Sequence, residues 1–344
     1  MLPSLRLALQ PHGGRAFSRS PSDGDRAGVR GRPSVVHPTD SSVTGAASWL
    51  KACRLCPRHC GIDRSAGQTG FCGAGRDARI ALVSLHQWEE PCLSGDRGSG
   101  TVFFSRCNLR CVFCQNHAIS QSCAGKEVSA DRLGEIFLEQ QTRGAHNLNL
   151  VSPTPYVPQI LAAMTRARAR GFTLPVVYNT NSYETPATVG ALAGHVDIYL
   201  PDLKYVDPAI AVQYSAAPDY FLHAAKAIEA MVEQAGPPVF GNDGLMRRGV
   251  IIRHLLLPGL VEDSKRVVDY VRRTFGDAVY LSLMSQYTPV YRAAEYPQIN
   301  RTIDPAEYTA LVDYALSLGL NNGYVQEGGA AKESFIPQFD MRGV

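Results

Sequence analysis

The sequence predicts an α/β fold: an incomplete barrel of six parallel strand-helix units behind a small metal-binding module. Three observations carry this. From residue 100 onward, short β-branched or aromatic runs alternate with helix-like stretches, which is the signature of βα units around a parallel sheet. Four cysteines fall within residues 53–72, at C-x2-C-x3-C-x11-C, among glycines and a proline that make tight turns. A second cysteine group, C-x3-C-x2-C, stands directly after the first barrel strand.

Strands are expected near 101–105, 146–151, 175–179, 196–201, 249–256 and 278–283. The helix after Ser129 has its cap in that serine, with apolar residues at 133, 136, 137 and 138. Further helices are expected in YVPQILAAMTRARARG, in EDSKRVVDYVRRTF, and in PAEYTALVDYALSLG. The last has Asp304 as cap, Pro305 at its first turn and Gly319 at its stop. Right-handed crossovers bring every strand's C-terminal end to one mouth, where the reactive groups of such barrels gather. By domain, residues 1–34 read as a transit-peptide-like or disordered N-terminus and 35–48 as a linker. Residues 49–99 form the cysteine-rich module, 100–320 the barrel, and 321–344 a C-terminal tail packed on or near it.

The 344 residues are 45% hydrophobic and 19% charged, enough for one large domain with appendages. A net charge of +3, no basic block interleaved with aromatics and no apolar run near the ~20 residues of a membrane span imply neither nucleic acid nor membrane as a partner. Eight of the nine cysteines lie between Cys53 and Cys114 in metal-like groupings, so a reducing compartment is expected in place of disulfides. The first 34 residues hold six arginines against two acids, and Arg15-Ala16-Phe17-Ser18 has the form of a processing site. The expectation is the mitochondrial matrix if the source is eukaryotic and the cytoplasm otherwise. The competing reading is an unstructured arginine-rich tail.

Cys107, Cys111 and Cys114 are one thiolate short of the four that close a structural site, so one coordination position stays open. A zinc site borrowing a distant fourth ligand is the bland alternative, though zinc knuckles prefer paired C-x2-C units and only the second and third cysteines form one. Cys53, Cys56, Cys60 and Cys72 suit either zinc or an auxiliary iron-sulfur cluster. Cys92 and Cys123 have no local partners and read as small buried or free cysteines. Asn179 and Asn181 end the third strand, Asp202 and Lys204 the fourth, and Arg253 lies on the fifth, where a buried guanidinium needs a carboxylate or a ligand.

The triplet, with Phe113 immediately before its third cysteine, resembles the radical S-adenosylmethionine (SAM) superfamily. That resemblance implies a partial (β/α)6 TIM-like barrel and a [4Fe-4S] cluster on Cys107, Cys111 and Cys114 whose open iron takes the amino and carboxylate groups of SAM. One electron then breaks a carbon-sulfur bond to give a 5′-deoxyadenosyl radical, which abstracts hydrogen. Phe113 would lie against adenine, and Asn179, Asn181, Asp202, Lys204 and Arg253 would hold the cofactor. A low-potential donor of the flavodoxin or ferredoxin type is implied.

More finely, Asp202-Leu203-Lys204 and Arg253 with Pro258-Gly259 resemble the glycyl radical enzyme activases, of which pyruvate formate-lyase activating enzyme is the type. Trp88-Glu89-Glu90-Pro91-Cys92, LMSQYTP at 283–289 and the tail GYVQEGGAAKESFIPQFD resemble an activase-like subfamily with an N-terminal cysteine module, over about residues 50–340. Two departures bear on the target. Val151-Ser152-Pro153-Thr154-Pro155 replaces a Gly-Gly-Glu turn, and Asn179 and Ser182 replace an aspartate and a glycine. Expectations for the target are therefore a partner's glycine, another polypeptide or a small molecule. The competing class is a non-catalytic zinc or iron-sulfur scaffold, against which stand the open coordination and the intact Asp202–Lys204 run.

Overall fold

The structure, a computed structural model, describes residues 8–9, 14–17, 48–326 and 337–344. In chain order the strands are β1 (Ala8–Leu9), β2 (Gly14–Phe17), β3 (Ala78–His86), β4 (Ser99–Phe104), β5 (Lys126–Val128), β6 (Leu148–Val151), β7 (Val176–Thr180), β8 (Ile198–Pro201), β9 (Val239–Phe240), β10 (Met246–Leu255), β11 (Tyr280–Met284) and β12 (Gly323–Gln326). Their order across the sheet is β1-β2-β12-β11-β10-β8-β7-β6-β4-β3-β5, with β9 on β10. Strands β4, β6, β7, β8, β10, β11 and β12 are parallel neighbours in chain order.

This is the expected α/β architecture, a mostly parallel sheet that the described residues do not close. Strands β4, β6 and β8 are buried at every position, as a parallel sheet covered by helices requires. The six expected strands are present, and β12 adds a seventh. On the far side of β4 lies β3, antiparallel and continuing to β5. It falls inside the stretch expected as the cysteine module, yet its hydrogen bonds belong to the sheet.

The four expected helices form at Ala130–Thr142, Val157–Ala169, Val261–Phe275 and Pro305–Ser317. Ser129 accepts from the Arg132 amide, and Asp304 with Glu307 closes a reciprocal capping box. Helices Pro186–Ala191, Pro208–Ser215 and Tyr220–Ala235 complete the outer layer. One core packs Val250, Ile252 and Leu281 against Val267, Val268 and Val271, and a second joins β3, β4 and β6 to the helices Ala130–Thr142 and Val157–Ala169.

The C-terminal residues lie on β3. The Met341 amide donates to Ala81 O and the Val83 amide to Arg342 O, both at 2.9 Å, and Phe339 meets Phe103 edge-on. Gly343 has φ +79°, and a Cβ there would stand 2.7 Å from Val83 O, so only glycine suits that crossing. Of the first 47 residues only β1 and β2 are described, β2 pairing antiparallel with β12. The expected processing site reaches beyond β2 to Ser18, and the 35–48 linker up to residue 47 and most of the 1–34 segment also lie outside the described residues. Among the described residues no helix is long and apolar enough to cross a membrane.

Candidate active site

The C-terminal ends of the parallel strands supply the walls of a cavity of about 280 Å³: Phe103 from β4, Val151 from β6, Asn179 from β7, Arg253 from β10 and Met284 from β11. Cys107, Cys111, Cys114 and Phe113 line it too, on the loop that leaves β4. Hydrogen bonds from Arg110 N to Ser215 O (3.1 Å) and from Val112 N to Tyr214 O (2.9 Å) moor that loop to the end of the helix Pro208–Ser215. A turn from Cys111 to Cys114 then leads into the short helix His117–Ser120.

Each thiol has a polar neighbour. Asn181 Nδ2 lies 3.3 Å and the Leu109 amide 3.4 Å from Cys107 Sγ. Ser215 Oγ lies 3.0 Å from Cys111 Sγ and Ser120 Oγ 3.3 Å from Cys114 Sγ. Burial pushes the Cys107 thiol up to about 11 and Cys114 up to about 12, their neighbouring cysteines adding to the effect, and it raises Cys111 as well. Such thiols give up their protons to a metal, not to neutral water, so assembly on them releases protons. We expect Ser215→Ala to weaken iron retention roughly 10- to 100-fold, the cost typical of losing a hydrogen bond to a ligand atom. Iron loss to a chelator followed over time checks this.

Asp202 and Lys204 form a 2.7 Å ion pair on the cavity wall, with side-chain exposures of 25% and 18%. Burial works against the Lys204 charge, but Asp202, with Cys111 and Tyr220 adding to it, outweighs burial and holds the ammonium well above its ordinary range. The Tyr220 hydroxyl accepts from the Lys204 amide and reaches the carbonyls of Asn181 and Asp202, at 2.9 and 2.8 Å, tying two strand ends together.

Asn181 is largely spoken for. Its Nδ2 also donates to Asn108 Oδ1 at 2.8 Å, and its Oδ1 accepts from the Tyr183 amide at 2.9 Å, so its contacts fix the cysteine loop. Arg253 has found carboxylates: Nε donates to Glu90 Oε1 at 2.8 Å, and Nη2 to Glu90 Oε2 at 2.6 Å and to Glu89.

Behind the wall, Glu184 is fully buried and accepts from Thr154, Tyr178 and Thr180, pinning the 152–155 turn to the end of β7. Burial raises its pKa while those hydroxyls pull it down. Ser152 and Ser182 both sit at positive φ, +58° and +65°. Ser182 thus adopts the conformation that glycine favours at the place where the activases carry one.

The second cysteine set gathers around one small hollow, about 20 Å³, lined by Cys53, Cys56, Cys60 and Cys72. Gly61 and Gly73, at φ +65° and +72°, make its turns, and a Cβ at Gly70 would collide with Cys60 Sγ at 2.7 Å. His59 is exposed in this turn. Cys92 is buried and Cys123 half-buried, and none of the nine cysteines is in a disulfide. Among the described residues no three His, Cys, Asp or Glu side chains are placed to hold a single metal ion.

The three-thiol wall, its hydrogen-bond donors, the aromatic Phe113 and the Asp202–Lys204 pair fit a cubane cluster with a zwitterionic ligand better than a lone ion. Sequence reasoning missed Asn108, Tyr220, Ser215 and the Glu89/Glu90 partnership with Arg253. Only Asn108, directly after Cys107, carried a local signal.

The profile of the radical SAM superfamily matches residues 101–271. The chain is 29% identical over 292 residues to the uncharacterized protein MJ0674 of Methanocaldococcus jannaschii, covering 82% of this chain and 79% of that protein. It is 23% identical over 268 residues to the uncharacterized protein MJ0808 of the same organism, covering 71% and 73%. Among solved structures, SuiB of Streptococcus suis bound to its precursor peptide SuiA aligns with a TM-score of 0.46 at 16% identity, over 65% of this chain and 47% of SuiB. The chain thus spans about half of SuiB. A domain of pyruvate-formate lyase-activating enzyme from Bacteroides vulgatus aligns with a TM-score of 0.36 at 14% identity, over 49% of this chain and 92% of that domain. Residues 101–271, from β4 into the helix Val261–Phe275, are a radical SAM superfamily domain.

Proposed function

We propose that the chain is a radical SAM enzyme that abstracts a hydrogen atom from a substrate presented at the mouth of the strand ends. The observation that carries this is the placement of Cys107, Cys111 and Cys114 on one wall of a cavity whose other walls hold Asp202, Lys204 and Asn179. Cys107, Cys111 and Cys114 would hold a [4Fe-4S] cluster, which together with SAM would supply a 5′-deoxyadenosyl radical. The protein's own residues orient and enclose. Lys204 would face the cofactor carboxylate, Asp202 and Asn179 would offer an acceptor and an amide to its amino group and ribose, and Phe113, 7% exposed, would present a ring to adenine. Cys111 is buried and Cys107 and Cys114 are half-buried, which limits access by water and oxygen.

The intact Asp202-Leu203-Lys204 run and Arg253 with Pro258-Gly259 support the finer reading of a glycyl radical activase, and the replaced Gly-Gly-Glu turn weighs toward a different target. The deciding test is dithionite-driven formation of 5′-deoxyadenosine from SAM by anaerobically reconstituted protein. Turnover supports the proposal; an iron-loaded protein that cleaves no SAM refutes it. Within an active enzyme, Lys204→Met should raise the dissociation constant for SAM roughly tenfold or more, since a charge-assisted contact and its ion pair are lost together. Equilibrium binding of SAM to the loaded protein reads this directly.

A further inference from the structure

We infer that the cavity takes a substrate whose aliphatic chain ends in a cationic nitrogen, held by the Glu89 carboxylate beside the Trp88 and Phe103 rings. The inference rests on the reading of the cavity given above and names the substrate class for it.

The first ground is charge. Glu89 and Glu90 lie on the segment that joins β3 to the short helix Pro91–Ser94, and both reach Arg253, so two carboxylates share one guanidinium. Glu90 takes the fork, from Nε and Nη2, and does not line the cavity, whereas Glu89 does. The Arg253 charge is met by Glu90, and one negative charge is left over on Glu89. Lys204 is the other cation among the described lining residues, and Asp202 neutralises it at 2.7 Å. His86, on the same wall, adds no cation at neutral pH, because burial, with Arg253 nearby, holds its ring below its ordinary value. An oxidised cubane on three thiolates bears one negative charge and SAM one positive, so that pair would also leave Glu89 uncompensated. A carboxylate this buried is costly until a cation meets it, and such a group at a cavity wall marks a binding site.

The second ground is an orphaned acceptor. Asn149, fully buried, donates from Nδ2 to Glu89 Oε1 at 2.8 Å, and its own Oδ1 has no hydrogen-bond partner among the described residues. An ammonium or guanidinium brings several N–H donors and no acceptor, which is what a carboxylate with an unpaired amide oxygen beside it calls for. An anionic ligand would be repelled by both.

The third ground is the lining. Trp88, 52% exposed, and Phe103 are cavity walls, and His86 meets Phe103 edge-on at 6.0 Å. Cations are drawn to aromatic faces, most strongly to that of tryptophan. Leu255 and Met284 line the cavity too and suit methylene groups. Ser94 Oγ accepts from the Glu89 amide at 3.0 Å, so the carboxylate is held in place before anything binds.

The test is calorimetric titration of anaerobic, cluster-loaded protein with SAM in excess and no reductant, so that the cofactor's own contacts are filled and nothing turns over. The probes are n-pentylamine and N-acetyl-lysine-N-methylamide, each beside the analogue with a terminal hydroxyl in place of the ammonium. Both ammonium probes should bind roughly tenfold or more tighter than their hydroxyl counterparts, the usual gain of a charge-assisted contact over a neutral one. In Glu89→Gln, which leaves the Arg253–Glu90 pair neutral, that preference should vanish while the hydroxyl probes bind as before. A merely structural role for Glu89 would weaken all four probes alike. Trp88→Ala, at an exposed side chain, should weaken the ammonium probes severalfold and keeps the test open if Glu89→Gln does not fold. Tighter binding of the lysine derivative than of n-pentylamine assigns the cation to a polypeptide side chain, and the reverse order to a free amine; either supports the inference. Equal binding of ammonium and hydroxyl probes by the wild type, or a preference that survives Glu89→Gln, overturns it. Because binding is read without turnover, a protein that prefers the ammonium yet cleaves no SAM keeps this inference and loses the proposed function, while SAM cleavage with no charge preference does the reverse.

Discussion

Cys111→Ala is expected to lose about four irons per chain and to bring 5′-deoxyadenosine formation to the limit of detection, while the fold persists. The reasoning starts from position. Cys111 is the middle ligand of the triplet, 8% exposed, and its sulfur meets Ser215 Oγ at 3.0 Å. Removing it leaves two thiols, too few for a cluster that already keeps one iron free for the cofactor. The loop does not depend on that sulfur for its path, since Arg110 N, Val112 N and Val112 O are bonded to Ser215 O, Tyr214 O and Arg292 N. Alanine replaces a small buried side chain, so the loss of packing is modest beside the loss of chemistry. Iron analysis, circular dichroism and chromatography of 5′-deoxyadenosine check the three parts. A variant that stays folded, keeps its iron and still cleaves SAM would remove Cys111 from the site. A scaffold protein would show the iron loss with no activity to lose in the parent.

Much of this site was legible because its signals are local. Three cysteines within eight residues, a strand before them and polar residues at later strand ends are read along the chain, and the rule that parallel strands end at one mouth brings them together. The structure gathers Cys107, Phe113, Asn179, Asp202, Lys204 and Arg253 around one cavity as that rule predicts. What the chain could not reveal is who partners whom across it. Arg253 signalled that it needed a carboxylate, yet Glu89 and Glu90 lie more than 160 residues away, so nothing local named them. Asn181, expected at the cofactor, is tied to Cys107, Asn108 and Tyr183 in the structure, a commitment visible only once β7 and the cysteine loop are side by side. β3 and β12 were missed for different reasons. The apolar run of β3 sits in a stretch dominated by cysteine spacing, and β12 has only four residues, too short for a period to declare itself.

Arg253→Met is expected to destabilise the protein by about 3–5 kcal/mol, the usual cost of breaking a buried ion pair from one side. The guanidinium is 13% exposed as a side chain, and Glu89 and Glu90 are 7% and 5%. It forks onto Glu90 through Nε and Nη2 and reaches Glu89 as well, so lysine, a point charge without the fork, should restore only part of the loss. Methionine fills a similar volume but leaves two carboxylates without their cation. Neutralising them should therefore repair the damage: Glu89→Gln with Glu90→Gln in the Arg253→Met background should recover most of it, a coupling that a double-mutant cycle isolates.

The acid response gives an independent reading. Burial alone would raise the Glu89 pKa, but Arg253, His86 and Asn149 outweigh it and hold the carboxyl below its ordinary value. A group lowered on folding contributes stability that is complete above its unfolded pKa of about 4.3 and is lost as pH falls through the folded value. The variant's unpaired carboxylates protonate more readily, so the gap in unfolding midpoint between wild type and Arg253→Met should narrow as pH drops below about 4.3. A gap that stays constant into acid would mean that Arg253 stabilises the barrel by packing alone, and that the charge cluster beneath the cavity is incidental to the fold.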